Sequence, residues 1–530
     1  MARRARGSAI CGAAVLAIVA AILPSAGPTR AGASVVPRSA AAHGRSIQVV
    51  TSQDWPAYLA SARHPSATGG PATIQLGNAG SLQAAWTFHE QPPTGTQPPG
   101  GFSASPTVAD GMVFIGSQTG DFYALQESTG QVVWQATLDY EQVGNNGNCG
   151  NARGIVGTAT VAPDPQTGNP TVYVAGARYL YALDAATGAQ KWKSLVGLAS
   201  SANVVGAYYN YASPTVANGL VYEGVSSSCD KPFVRGGVQA FSQKTGARQH
   251  SFWTVPPGHV GASVWSSETA TTNWVWATTG DPELTGTQLY HAFSFLRLNA
   301  STLALSGSWQ LKLAQNSDLD FGSSPTLFSG TVNGVSTSLV GACNKNGRFY
   351  ALRRNSLSRG PVWSRRVGAS ADTGQGVCLS SAVWNARGKQ LYLAGNGTSI
   401  NGQTFGGSVR SVNPGTGSVQ WATGLGCGLL GTPALDAATG VLAVATWTPC
   451  HNASPAVYLL DAATGSILGT LPLSGGGFAQ PVFAGQYLLV ADRSGQVVAY
   501  TLPAAVAGRV RCTGWCNARV ATRVPPPPVP

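Results

Sequence analysis

The chain reads as an all-β protein: an eight-bladed β-propeller of four-stranded antiparallel sheets, its ring closed by an N-terminal strand in the last blade. Three observations predict this. A turn phrase recurs along the 530 residues, its Thr-Gly beginning at Thr129, Thr187 and Thr245, with degenerate copies near Thr302, Arg359, Thr416 and Thr464. The steps between these positions are 58, 58, 57, 57, 57 and 48 residues. Such a period, holding short alternating strands, marks units that bury their apolar faces only by stacking on copies of themselves. Inner strands then begin near Ser105, Gly157, Ser213, Val264, Ser324, Ser381, Thr432 and Gln480, which counts eight units. The eighth unit has only three strands, whereas "LQAAWTF" (Leu82 to Phe88) precedes the first unit without a partner. Pairing the two ends closes the ring and leaves only short edges.

From the N-terminus, residues 1–33 read as a signal peptide. Arg3, Arg4 and Arg6 precede an apolar run from Ala13 to Leu23, and Ala31-Gly32-Ala33 offers a small-residue cleavage site. That run is shorter than the ~20 residues a spanning helix needs, and no later segment reads as a membrane span. Residues 34–80 form an extended lead-in, and "DWPAYLASARHPSA" within it is expected to lie across one face of the disc. The propeller occupies 81–505, with a Pro/Gly linker from Gln91 to Gly101. In blade one, "SPTVADG", "MVFIGSQTG", "DFYALQESTG" and "QVVWQATL" are short β-branched and aromatic stretches bounded by turn residues. A Trp follows the Thr-Gly turn at a fixed offset (Trp134, Trp192, Trp363, Trp421) and is expected to dock between neighbouring blades. Residues 506–530 are a Cys-containing, Pro-rich tail.

Charge narrows the function classes. The net charge is +12, or +8 once the four leader arginines are subtracted, and only 10% of residues are charged. No basic run or aromatic-interleaved groove suggests nucleic acid, and a mild positive surface suits solubility or an anionic envelope polymer. Without Cys11 of the leader, eight cysteines remain, an even number that predicts disulfides in an oxidising compartment. Sequence leaves their connectivity open; proximity favours Cys343–Cys378, Cys427–Cys450 and Cys512–Cys516, leaving Cys149 with Cys229. No Cys-x-x-Cys occurs, so zinc ribbons, thioredoxin-like sites and c-type haem attachment lack their signature. The seven histidines show no metal-ligand spacing. The Gly-x-Gly-x-x-Gly match in "GLGCGLLG" (Gly424 to Gly431) joins two sheets and opens no helix, so it is not read as a nucleotide site.

The phrase Ala-x-Asp-x-x-Thr-Gly-x-x-x-Trp, matched best by Ala182 to Trp192, resembles the repeat of pyrroloquinoline quinone (PQQ) propellers over roughly residues 54–505. Within that superfamily "DWPAYLASARHPSA", "VYEGVSSSCDKPFVRGGVQAFSQKTG", "VWSSETATTNWVWATTGDPEL", "DLDFGSSPTLF" and "GACNKNGRFYALRR" look most like polyvinyl-alcohol dehydrogenases. The resemblance implies PQQ in the central funnel, stacked on a Trp and chelating calcium; a haem-bearing cytochrome segment is not seen in the sequence, so electrons are expected to leave to a separate external acceptor. By position, Lys345 matches the basic residue at the quinone oxygens and Trp265 falls near the stacking Trp. Asp281 stands where the family has an Asn calcium ligand. An Asp oxygen serves calcium equally.

Two departures stand against the chemistry. The family's acidic calcium ligand aligns with Lys231, or with Asp230 after a one-residue slip, and its alcohol-deprotonating Asp aligns with Phe293. Lys231 held about 4 Å from calcium would cost about 8 kcal/mol at an effective dielectric near 20, a penalty that vanishes if Asp230 is the ligand. For Phe293 the substitutes are His291 or Glu283. The adjacent cysteine pair of many relatives is also missing. Each residue has a structural reading beside the functional one: Lys345 as a solvated loop charge, Trp265 as core, Asp281 as the start of a turn, and His291 as an interior histidine. Asp318 and Asp320 in "NSDLDFG" stand where an inner strand begins, near a funnel mouth, and read as a capped turn, with cation binding as the alternative. On this reading an exported propeller binding a small molecule, polymer or envelope protein ranks first. A PQQ- and calcium-dependent alcohol dehydrogenase is the alternative, and a purely structural role comes third.

Overall fold

The computed structural model describes residues 54–69, 73–91, 100–140, 154–198, 207–230, 232–283, 288–312, 318–369 and 378–503. Eight antiparallel sheets of four blade strands succeed one another along the chain, and the seventh gains a fifth, parallel edge strand from Ala67–Thr68 of the lead-in. Blade one runs Thr107–Ala109, Met112–Gly116, Asp121–Gln126 and Val132–Thr137. Blade eight is Val482–Ala484, Tyr487–Ala491 and Gln496–Thr501, completed by Gln83–His89. That last strand pairs antiparallel with Gln496–Thr501, Gln83 facing Thr501 and His89 facing Gln496. The predicted closure of the ring by its two ends is therefore the one found.

The repeat phrase has a packing reason. Trp86, Trp134, Trp192, Trp363 and Trp421 each leave the outer strand of one blade and donate the indole N–H to a turn carbonyl of the next, at 2.8–3.2 Å. The glycine of that turn lies under the ring. At Gly130, Gly188, Gly246, Gly417 and Gly465 an added Cβ would fall 2.4–2.6 Å from the Trp Cε3 atom, and each has φ between 68° and 77°. Glycine is required there twice over, for the left-handed backbone and for the space. The Asp or Asn ahead of the turn fixes its shape: Asp184 Oδ1 accepts the N–H of Ala186 and of Thr187 at 3.1 and 3.0 Å.

Around the axis the blades are laced by hydroxyls. The backbone N–H of Ser105 donates to Thr158 Oγ1, Thr158 to Ser213 Oγ, Ser213 to Ser267 Oγ, and Ser267 to Ser324 Oγ. Ser324 continues to Ser381 Oγ, Ser381 to Thr432 Oγ1, and Gln480 closes the circle on Ser105 Oγ, all within 2.8–3.0 Å. Two residues further along each strand, Thr107, Thr160, Thr215 and Thr326 donate across to carbonyls of Ala159, Pro214, Glu268 and Ala382. These bonds give a reason for Ser-Pro-Thr at 105, 213 and 324.

The lead-in does lie across the disc. Trp55 exchanges backbone bonds with Val108, and Pro56, Ala62, Pro65 and Ser66 accept from Val161, Ala270, Trp384 and Leu435, which touches blades one, two, four, six and seven. Its Tyr58 reaches the axis, where burial raises the phenol pKa against the lowering effect of hydrogen bonds with Thr432, Ser381 and Ser324. Cys343–Cys378 and Cys427–Cys450 are disulfides, as proximity suggested, and Cys229 is also disulfide-bonded. Cys149, Cys512, Cys516, the leader and the tail lie outside the described residues. No helix among the described residues is long and apolar enough to cross a membrane.

Candidate functional site

The axial cavity has walls from all eight blades and, with its open mouth, encloses about 940 Å³. Tyr58 and the hydroxyls of Ser105, Ser213 and Thr432 line part of it, and Trp265 and Arg493 line other walls. Trp265 ends the loop into blade four, just ahead of the ring residue Ser267. Its indole is wedged against the next blade: a Cβ on Gly322 would lie 2.4 Å from Cη2 and one on Gly280 3.4 Å from Nε1. Its Nε1–H donates to Asp320 Oδ2 at 3.0 Å. A flat aromatic surface thus borders the cavity, held rigid by two glycines and a carboxylate.

Beside it stands a charged cluster. Asp281 follows Trp274–Thr278 of blade four, Asp318 and Asp320 precede blade five, and Lys345 turns between Val335–Asn344 and Arg348–Arg353. Lys345 Nζ is 2.5 Å from Asp318 Oδ1 and 3.2 Å from Asp320 Oδ2, and lies 5.4 Å from the centre of the Trp265 ring. One carboxylate oxygen from each of Asp281, Asp318 and Asp320 lies within 4.8 Å of the others. Asp281 Oδ1 and Asp320 Oδ1 are buried without a hydrogen-bond partner among the described residues. Burial and the Asp320 charge push the Asp281 carboxyl well above its usual range. Burial also opposes ionisation of Asp320, but Lys345 and the hydrogen bonds from Asp281, Lys345 and Trp265 outweigh it and hold the group low. Lys345 is kept charged in the same way, its burial overcome by Asp320 and Asp318. Asp281 therefore holds a proton where Asp320 does not.

Of the residues singled out from sequence, Asp281, Lys345 and Trp265 meet at this point. Asp230 borders them: it hydrogen-bonds with Ser227 Oγ, and burial followed by the Asp320 charge lifts its pKa to about 6. Lys231 lies outside the described residues. Phe293, which stands where the family has an acid, is a core residue, fully buried among Val255, Ala262 and Ala292. Asp318 and Asp320, for which the sequence favoured a capped turn over cation binding, stand beside Asp281 and Lys345. Asp-Leu-Asp next to the inner-strand start of blade five, as near the axis as any segment, was the available signal. His291 packs on Phe252 at 5.7 Å, and Glu283 lies 3.8 Å from His259.

With Asp281 protonated, the three carboxyl groups and one ammonium carry a net charge of −1, and a cation that displaced the shared proton would meet three carboxylates. A hard cation fits these all-oxygen donors, and the Trp265 surface with the Lys345 charge fits a planar, oxygen-rich aromatic molecule. The fold and cavity define a PQQ-type propeller. Residues 55–375, more than half of the chain, match the family model described as glucose/ethanol/alcohol dehydrogenase, beta-propeller domain. The chain belongs to that family. Residues 406–507 match the model described as outer membrane protein assembly factor BamB. No curated protein matched the sequence. Among solved structures it is similar to the quinohemoprotein alcohol dehydrogenase of Comamonas testosteroni, at 18% identity and TM-score 0.68, covering 87% of this chain and 81% of that one. It is also similar to the quinohemoprotein alcohol dehydrogenase ADHIIG of Pseudomonas putida HK5, at 18% identity and TM-score 0.68, with 90% and 83% covered. A europium-containing methanol dehydrogenase follows at 16% identity and TM-score 0.67, with 85% and 98% covered. At these identities the likeness is one of fold.

Proposed function

We propose that this chain is an exported alcohol dehydrogenase using PQQ and a hard metal cation in the axial cavity. The observation that carries the reading is the meeting of Asp281, Asp318, Asp320 and Lys345 around Trp265, whose indole lines that cavity. It reverses the ranking that sequence suggested, because the acid expected at Phe293 is supplied from another segment. PQQ, when bound, would supply the two-electron acceptor. Trp265 offers the ring a flat apolar surface, and Lys345 presents a charge to quinone oxygens. Asp281, Asp318, Asp320 and the bordering Asp230 would hold the cation through their carboxyl oxygens, Asp281 giving up its proton. Asp320, held ionised, is the group placed to take the hydroxyl proton of an alcohol. Electrons then pass to a separate acceptor. The disulfides fit an oxidising, extracytoplasmic setting.

The test is direct. Purified protein is titrated with PQQ in the presence of calcium or europium(III), following tryptophan quenching, then assayed for dye-linked oxidation of primary alcohols, secondary alcohols and polyvinyl alcohol. A trivalent ion is included because three carboxylates around one lysine favour high charge, and because a similar fold is named for europium. Saturable, metal-dependent PQQ binding that is lost in Lys345→Ala is the expected result. Absence of binding to the intact protein would sink the proposal. It would favour the second reading, a partner- or polymer-binding propeller, which the BamB-model match over residues 406–507 supports.

A further inference from the structure

Besides Lys345, which stands against Trp265, a second cation lines the cavity itself. Arg493 sits in the turn between Tyr487–Ala491 and Gln496–Thr501 of blade eight, and in an eight-membered ring blade eight faces blade four across the axis. Lys345 is neutralised by two aspartates. Arg493 has no carboxylate within ion-pair distance among the described residues. Its neighbour Asp492 is occupied elsewhere, accepting from the N–H groups of Ser474, Gly475 and Ser494 at 3.1, 3.0 and 2.9 Å. The guanidinium is nonetheless held in place. Nη1 donates to Ser103 Oγ at 3.2 Å, the group lies 5.7 Å from the centre of the Trp447 ring, and the backbone N–H bonds Gly476 O at 3.2 Å. Burial works against its charge and lowers its pKa.

Ser103 supplies the second half of the argument. Its oxygen accepts from Gln118 Nε2 at 2.6 Å as well as from Arg493. With both lone pairs engaged, the hydroxyl proton is left to donate. Ser103, Gln118 and Arg493 all line the cavity. A fixed, unneutralised guanidinium beside an O–H donor matches a carboxylate, which takes two parallel N–H bonds from the fork and one more from the hydroxyl.

We propose that Arg493, Ser103 and Gln118 form a carboxylate subsite on the cavity wall made by blades one and eight, reading an acidic group of whatever molecule occupies the cavity. That group belongs either to the cofactor, in which case the inference rests on the function proposed above, or to an acidic substrate. The experiment separates these sources. Isophthalate, a planar dicarboxylate without a quinone, is titrated by calorimetry into the metal-free full-length protein, with neutral isophthalamide as control. Isophthalate binds saturably at millimolar concentration and isophthalamide does not. Arg493→Gln weakens isophthalate binding by about tenfold or more, and Arg493→Lys restores part of it. Melting curves of both variants show that they fold. Wild-type affinity in Arg493→Gln, equal binding of isophthalamide, or no isophthalate binding to the wild type would each overturn the subsite. PQQ is then titrated into wild type and Arg493→Gln. A tenfold loss assigns the subsite to the cofactor. Unchanged PQQ affinity beside Arg493-dependent isophthalate binding assigns it to an acidic substrate. If the wild type binds no PQQ, the dehydrogenase reading falls, and the isophthalate result alone decides the subsite.

Discussion

At the scale of single residues, the decisive fact is that one proton sits among three aspartates. Asp281 holds it because burial and the Asp320 charge disfavour a second anion there, so an incoming cation must displace it. Metal affinity should therefore rise with pH across the neutral range, and Asp281→Asn should flatten that slope and weaken calcium binding at least tenfold, both measurable by calorimetry. A second residue-scale prediction concerns Glu268. Its carboxyl is fully buried, neither oxygen has a hydrogen-bond partner among the described residues, and burial lifts its pKa to about 8. In the folded chain it keeps a proton that the unfolded chain releases, so stability is present below the unfolded value and declines as pH rises toward 8. Glu268→Gln should lessen that decline, read as a melting temperature that falls less between pH 5 and pH 8 than the wild type's (about the window of the two pKa values), the remainder coming from other buried carboxyls such as Glu223. Much of the cluster was legible: Asp281, Lys345 and Trp265 stand in segments whose order resembles a known family. Asp318 and Asp320 were legible only as a second choice, because an Asp in a turn has a local capping role that sequence cannot distinguish from a contact with a neighbouring loop. Phe293 misled for a related reason, since a positional match carries no information about which segment delivers an acid in space.

At the scale of elements, the outer-strand Trp and the next blade's glycine act as one joint. Trp363 is almost wholly buried, stacks on Phe349 at 5.5 Å and bonds Pro414 O at 2.9 Å. Trp363→Ala should cost about 3–5 kcal/mol, seen as a lower denaturant midpoint. Gly417→Ala should be damaging despite its size, because φ is +68° and the new methyl would meet the Trp363 ring. The Thr-Gly period exposed this joint in the sequence because it is built from neighbouring residues. The hydroxyl lacing on the inner strands is equally repeated, as Ser-Pro-Thr, yet its partners lie more than 50 residues apart, so spacing alone assigns it no purpose. Thr215→Val would leave the Glu268 carbonyl without its 2.6 Å donor, a loss of about 1–3 kcal/mol.

At the scale of the whole molecule, stability comes from tying distant parts of a thin ring together. Cys343–Cys378 joins the second strand of blade five to the entry of blade six, and with 35 residues between its ends it should contribute about 4 kcal/mol by restricting the unfolded chain. Reduction should lower the melting temperature, and Cys343→Ala should reproduce most of the effect. The strap from Trp55 to Thr68 crosses five blades, so a chain beginning after Thr68 should melt earlier and bare the axis where Tyr58 now ends.

The clasp made by Gln83–His89 with Gln496–Thr501 also sets a timetable. The earlier strand leaves the ribosome some four hundred residues before its mate, and throughout that interval the growing arc has two raw sides. A neighbouring copy caught at the same stage could offer the missing strand, which makes crowded synthesis the moment of greatest hazard for this fold.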